Sequence, residues 1–403
     1  MKMTESEYWL AHFDKIFEII PNEETALCGD GQWIQFIFEK YPDYGFVYAV
    51  ENEQKGRYAK TYPVIGYDEF FVLGIKHLII VDTPQNTISL YQSIRKECKY
   101  NGVSVYNLCG QNMEEGYKHI IEIDAHYAQI QSSDILHAID KCDVVSVDIG
   151  NTLFAIRYMY YSDFYAKIGK KINEIGVNIF DFMQRVADIK KRDTYSNLRV
   201  IIEVMVKELF LPMDYLEKIW SVVIDVAKKA FVPRKGVVEA LRYAKENGKT
   251  VCLIEDLPDY RLPAIIWKLL LKEYGITSYD EIISSGEYWL HKGEGLYRTI
   301  IEKYGVDVSY LHIGDDLNDD VIVPRLYGMD TFFIKSPKEL FDGLDSIVLE
   351  QLEKSNVRDL FEKYVLKVYS DSYIISELKE RQKDADVVEM AAKLQDKISF
   401  CKS

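Results

Sequence analysis

No CxxC pair occurs in this sequence. None of its six cysteines (Cys28, Cys98, Cys109, Cys142, Cys252 and Cys401) stands at ligand spacing from a histidine. Zinc sites need that spacing, so no zinc is expected. Several of the cysteines fall in apolar, strand-like runs, where cysteine serves as a small buried hydrophobe. A reducing cytoplasm is the expected location. The chain also lacks the roughly 18 uninterrupted apolar residues of a membrane span. Its start, "MKMTESEYWLAHFDKIF", has no apolar core of the signal-peptide kind. Positive charge is in short supply: 49 Lys and Arg face 64 Asp and Glu, leaving −15. Nucleic acid and anionic membranes both demand a basic surface, so neither is an expected partner, and no membrane insertion is expected. No internal repeat or low-complexity tract is present.

What is there suits a globular protein of two or three domains: 403 residues, 48% of them hydrophobic. Residues 24–108 alternate strand-like and helix-like patterns. "TALCGDG" (25–31) reads as strand then turn. "QWIQFIFEKY" (32–41) has helical spacing at Trp33, Phe36, Ile37 and Tyr41. "GFVYAVE" (45–51) and "KHLIIVDT" (76–83) read as strands. "NTISLYQSIRKECKYNG" (86–102) is an amphipathic helix closing on Gly102, and "VSVYNL" (103–108) a last strand. Alternation of this kind implies a parallel, doubly wound sheet.

The turn Gly29-Asp30-Gly31 resembles the start of a dinucleotide-binding fingerprint, and Glu51 ends the second strand about where an acid meets a ribose. Gly29, Gly31 and Glu51 are therefore the candidate cofactor residues. The third glycine's place holds Ile34, whose bulk opposes the close helix–strand approach that glycine permits. The expectation is a Rossmann-like turn without a nucleotide.

Residues 111–141 read as a helical linker. A second alternating domain, 142–335, has strands at "VVSVD" (144–148), "TVCLIED" (250–256), "EIISS" (281–285), "YLHIGDD" (310–316) and "DTFFI" (330–334). Between the first two, "FAIRYMYYSDFYAKIGKKI" reads as loop then helix. "VIIEVMVKELF" (200–210) and "YLEKIWSVVIDVAKKAF" (215–231) also keep helical spacing. A helical insertion over about 154–232 follows. The tail, 336–403, is helical and charged, with Val387, Met390, Leu394 and Ile398 on one apolar face. That face suits packing against the rest of the chain, a second copy or a protein partner. The fold class is thus α/β: two Rossmann-like parallel-sheet domains (1–110 and 142–335) and a helical C-terminal extension.

"DIGNT" (148–152) is similar to the first phosphate loop of actin-like sugar and pantothenate kinases. Those kinases need a β-hairpin immediately afterwards and a later Gly-Gly adenosine loop, and neither pattern follows here. The whole stretch 142–334 instead resembles the haloacid dehalogenase superfamily of phosphohydrolases. Asp148-Ile149-Gly150-Asn151-Thr152-Leu153 matches its first motif, and Glu255 occupies the Ser/Thr position of the second. Lys292 in "SSGEYWLHKGEGLY" matches the third. "HIGDDLNDDV", with Gly314, Asp315 and Asp319 or Asp320, matches the fourth. The insertion fits the helical cap of many members. "VSVDIGNTL" and "IEDLPDY" look like diverged forms of a subgroup with "SFDIFDTL" and "SDMYL" signatures, whose members often carry an N-terminal Rossmann-like domain in contexts of surface-polysaccharide assembly.

The resemblance implies a magnesium-dependent hydrolase acting on a small phosphorylated metabolite or sugar. Asp148 would attack phosphorus and Lys292 would neutralise charge. Asp148, Asp315 and the Gly150 carbonyl would hold magnesium, with Asp319 or Asp320 orienting Lys292 or a metal water. Two departures matter. Gly150 replaces the acid that protonates a leaving group, a role worth ~100–10,000-fold. Glu255 replaces a phosphate-binding hydroxyl with a carboxylate, a repulsion of ~4 kcal/mol at ~4 Å and an effective dielectric near ~20. A non-catalytic descendant retained for binding, scaffolding or regulation is the alternative.

Overall fold

The apolar run Thr25–Gly29 becomes β1, the central strand of a five-stranded parallel sheet. The computed structural model describes residues 24–344 apart from 43–45, 47, 51–62, 109, 193–195 and 257–260. It also describes 13, 16, 20, 357–359, 361–362 and 368–378. The chain divides into two units. One comprises Met1–Ala125, Lys292–Val306 and Leu317–Met329, the other His126–His291, Asp307–Asp316 and Asp330–Ser403.

In the first unit β1 is joined by β2 (Tyr48–Val50), β3 (Val64–Ile65), β4 (His77–Val81) and β5 (Ser104–Tyr106), in the order β3-β2-β1-β4-β5. Crossovers between parallel strands need intervening helices, and Gly31–Lys40 and Pro84–Asn101 supply two. The second has Pro84 in its first turn and ends on Gly102, whose φ of 69° is left-handed. The first buries Ile34, Ile37 and Phe38, while Phe36 is 47% exposed. The i, i+3, i+4 stripe on the sheet is therefore shifted by one residue from the spacing at Trp33 and Phe36. Arg95 bonds Glu114 through Nε at 2.7 Å and Nη2 at 3.0 Å, tying two helices together. That bond, with help from Tyr91, holds the Glu114 carboxyl down to about 2 against the opposing effect of burial.

The second unit contains β6 (Val144–Asp148), β7 (Phe154–Ile156), β8 (Phe231–Pro233), β9 (Thr250–Glu255), β10 (Glu281–Ser284), β11 (Tyr310–Gly314) and β12 (Asp330–Phe333). All but β7 and β8 form a parallel sheet in the order β10-β9-β6-β11-β12. The strands are apolar along their length because helices cover parallel sheets on both faces. Ser146, in the middle of β6, is fully buried, and its Oγ lies 2.9 Å from Nδ1 of the equally buried His312 on β11.

Residues 154–156 form a strand where loop was expected. β7 pairs antiparallel with β8, 75 positions further on, with Phe154 opposite Pro233. No hairpin returns on β6, so the kinase-type phosphate loop is not formed. Between β7 and β8 the helices Tyr161–Glu174, Phe182–Arg192, Leu198–Glu208 and Asp214–Ala230 pack in succession. Their apolar faces share one core with the sheet. Phe231 sits at the junction, 5.0 Å from Trp267 and 5.8 Å from Phe164 between ring centroids. In the C-terminal region a helix spans Pro337–Leu344. Val387, Met390, Leu394 and Ile398 lie outside the described residues. No described helix is long and apolar enough to cross a membrane.

Gly29 shows a close approach that a side chain forbids. Its φ is 125°, and a Cβ there meets the Val81 carbonyl oxygen at 2.4 Å. Gly29→Ala is expected to destabilise the first unit by ~1–3 kcal/mol or more. Hydrogen exchange of β1 and β4 amides will read this as lost protection.

Candidate active site

β6 and β11 run in parallel register, with Val144 opposite Tyr310 and Val147 opposite Ile313. Their carboxyl ends therefore deliver Asp148 and Asp315 side by side, and carboxylate oxygens of the two lie within 4.8 Å of each other. Asp148 is 7% exposed. The chain then turns sharply. Leu153 N donates to the Asp148 carbonyl at 3.2 Å and Phe154 N to the Ile149 carbonyl at 2.9 Å. Asn151 takes a left-handed φ of 58°, a conformation asparagine tolerates better than most residues. Thr152, fully buried, donates from Oγ1 to Asp315 Oδ1 at 2.9 Å. This bond orients one carboxylate towards the place its partner occupies.

Beneath the turn lies a residue that the sequence did not single out. Arg234, at the end of the cap insertion, is 1% exposed. Its Nη1 donates to the Asn151 carbonyl at 2.7 Å, while Nε and Nη2 have no hydrogen-bond partner. Burial pushes its pKa down, and Tyr127, Asp315, Tyr373 and Glu339 pull it back up. A guanidinium stays charged under such conditions, so a cation underlies the loop.

Glu255, at the end of β9, is 3% exposed and accepts a hydrogen bond from Ser284 Oγ on β10 at 2.5 Å. Ser284 is directly opposite it in the ladder. The second-motif side chain is thus engaged sideways along the rim, with a partner that the sequence reading did not name. Next to it, Asp256 Oδ1 lies 2.6 Å from His291 Nδ1. After residues 257–260, which lie outside the described set, Arg261 donates to the Ser196 carbonyl at 2.7 Å and so ties this rim to the insertion.

Lys292, Asp319 and Asp320 belong to the first unit and are arranged among themselves. Lys292 Nζ bonds Asp320 Oδ1 at 2.6 Å, both side chains being buried. Tyr297 OH donates to the Asp319 carbonyl at 2.7 Å and lies 3.2 Å from Asp320 Oδ1. Asp320, and not Asp319, is therefore the acid that orients the lysine. The segment Leu317–Ile322 is a π-helix, an uncommon turn that often marks functional positions.

At the carboxyl end of β1, Gly29 and Gly31 flank Asp30, whose Oδ1 accepts from Gln32 N at 2.8 Å and Trp33 N at 3.1 Å. This carboxylate takes the helix N–H groups that a pyrophosphate occupies in dinucleotide folds. Asp82 stands at the end of neighbouring β4, its pKa raised by burial and by Asp30. Glu51 lies outside the described residues.

No protein-family profile and no curated protein matches the sequence. Solved structures do. A hydrolase from Streptococcus pneumoniae TIGR4 is 21% identical, covering 51% of this chain and 99% of its own, with a TM-score of 0.29. A HAD family enzyme from Bacteroides thetaiotaomicron, solved with magnesium and inorganic phosphate, is 15% identical over 48% of this chain and 95% of its own, at 0.32. A phosphonoacetaldehyde hydrolase-like protein from Oleispira antarctica is 13% identical over 63% and 94%, at 0.29.

The parallel strand order, the helical insertion after the first strand and the motif positions at the strand ends give the chain a haloacid dehalogenase-like fold.

The adjacent carboxylates of Asp148 and Asp315 are hard oxygen donors of the kind magnesium takes, so the residues present fit that ion. Partners that orient ligands typically contribute 10–100-fold to metal affinity, about as much as is asked of Thr152 here. Thr152→Val is expected to weaken magnesium binding by ~10-fold in calorimetry while the thermal transition stays close to that of the parent.

Proposed function

We propose that residues 142–335 form a magnesium-dependent phosphohydrolase acting on a small phosphorylated metabolite or sugar. The convergence of Asp148 and Asp315, braced by Thr152, carries this reading. Asp148 is the nucleophile. An oxygen of its carboxylate attacks phosphorus, the leaving oxygen departs, and water then hydrolyses the aspartyl phosphate. Asp148 and Asp315, with the Gly150 carbonyl that the resemblance implies, would hold magnesium, which would supply charge neutralisation for the phosphoryl oxygens. The resemblance gives the third-motif lysine, Lys292, the role of covering developing negative charge; within the first unit Asp320 fixes it. The resemblance to the "SFDIFDTL" subgroup favours a substrate from surface-polysaccharide synthesis. The buried thiols of Cys28, Cys98, Cys142 and Cys252, none of them in a disulfide, accord with a cytoplasmic location.

A second reading has one observation in its favour. Glu255 puts a buried carboxylate where phosphohydrolases of this type bind phosphate through a hydroxyl, and a chain so altered suits binding without turnover. The two readings separate in an assay of the purified protein with magnesium against a panel of phosphate esters. Hydrolysis that falls by ~10,000-fold or more in Asp148→Asn supports the enzyme. Equal inactivity of both proteins, with no magnesium bound, removes it.

The charge of Glu255 is testable by itself. At ~4–6 Å and an effective dielectric near ~20, it opposes a phosphate by ~3–4 kcal/mol, reduced by whatever its bond to Ser284 turns away. Glu255→Gln is expected to bind inorganic phosphate at least ~10-fold more tightly in magnesium-containing calorimetry.

A further inference from the structure

The loop after β6 has no side chain at Gly150, and a Cβ there meets nothing within 4 Å. The position from which related phosphatases protonate the leaving group is open space. Glu255 is bound to Ser284 and buried. Among the described residues, the rim of the second unit also carries the pair Asp256 and His291. Asp256 follows directly on β9, the strand that pairs with β6 so that Ile254 lies opposite Asp148. Its carboxylate faces His291 Nδ1 at 2.6 Å, with side chains 8% and 21% exposed respectively. An ionised carboxylate only accepts, so Nδ1 carries the hydrogen, and Nε2 becomes the nitrogen that gains and loses a proton. A buried acid that fixes the tautomer of a partly exposed imidazole is the device by which many enzymes build a general acid–base.

We propose that His291, oriented by Asp256, is the general acid and base of this site, in place of the acid absent at Gly150. The proposal rests on the phosphohydrolase reading above. As an Asp148 oxygen attacks phosphorus, the bond from phosphorus to the leaving oxygen breaks, and that oxygen takes the Nε2 proton of the imidazolium. The neutral imidazole then accepts a proton from water as the water oxygen attacks phosphorus. The bond from phosphorus to Asp148 breaks, releasing inorganic phosphate and restoring carboxylate and imidazolium. The assignment also accounts for His291 standing next to the third-motif lysine, Lys292, in the chain.

The test compares first-turnover kinetics of the parent, His291→Gln and Asp256→Asn with magnesium on two esters. p-Nitrophenyl phosphate has a leaving group that needs no proton, whereas glycerol phosphate has one that does. In His291→Gln, nitrophenolate is expected in a burst of about one per chain at near-parent rate, followed by slow turnover. Glycerol release is expected to fall by ~100-fold or more. Asp256→Asn is expected to show the same pattern to a smaller degree. Equal loss on both esters, or loss on neither, overturns the role of His291 while leaving the hydrolase intact. A parent inactive on both esters overturns the hydrolase reading and this proposal with it.

Discussion

The hydrogen bond between Ser146 and His312 lies inside the strand pair on which the candidate site of the second unit depends. Both side chains are fully buried, and each is the cross-strand neighbour of the other in the β6–β11 ladder. Sliding the ladder by one residue leaves two buried polar groups facing apolar neighbours, at ~1–3 kcal/mol for each unsatisfied group. Apolar strands between apolar strands specify register poorly. One polar pair among Val144, Val145, Val147, Leu311 and Ile313 specifies it well. Register in turn decides whether Asp148 and Asp315 end level, and so whether Thr152 can reach Asp315. The chemistry at the strand ends is thus set two to three residues upstream, in the core.

This dependence explains what was legible in the sequence. Apolar runs mark buried strands, so β1, β4, β6, β9, β10, β11 and β12 could be placed nearly to the residue, and five of them (β1, β4, β6, β9 and β11) run into acids. The acids at their ends followed because chain order and spacing survive folding. What escaped had its cause elsewhere in the chain. β7 is three residues long, and its partner is 75 positions away, so no local pattern announces it. β3 has only two residues. The partner of Glu255 is Ser284, chosen by the β9–β10 register rather than by any motif. Arg234 belongs to no motif, and its use emerges only when β8 returns beside the turn at Asn151. His291 and Asp256 each sat beside a motif residue and were passed over for it.

The N-terminal sheet carries a similar lesson about charge. Its strand order places the ends of β1 and β4 at the switch point where doubly wound folds admit ligands. Two carboxylates, Asp30 and Asp82, stand there, and Asp30 already satisfies the helix amides. A glycine-rich turn by itself describes backbone shape. The electrostatics decide what the shape can accept, and two carboxylates at that point oppose a phosphate.

In the second unit the charge problem runs the other way. Asp148, Asp315 and Glu255 together make a poor receptacle for an anion. Arg234 is a buried cation on the same unit, and the fold keeps it despite leaving Nε and Nη2 unbonded. A guanidinium removed from water costs several kcal/mol unless nearby negative charge offsets it. Asp315 and Glu339 supply part of that offset. The arrangement is therefore mutual. Arg234 is tolerable because carboxylates are near, and carboxylates can crowd the loop because Arg234 lies beneath Asn151. A structural role alone would be met by an apolar side chain of similar volume, which would spare the cost of desolvation. At 1% exposure beneath Asn151, the charge of Arg234 would also offset an anion held by the loop in the phosphohydrolase reading proposed above.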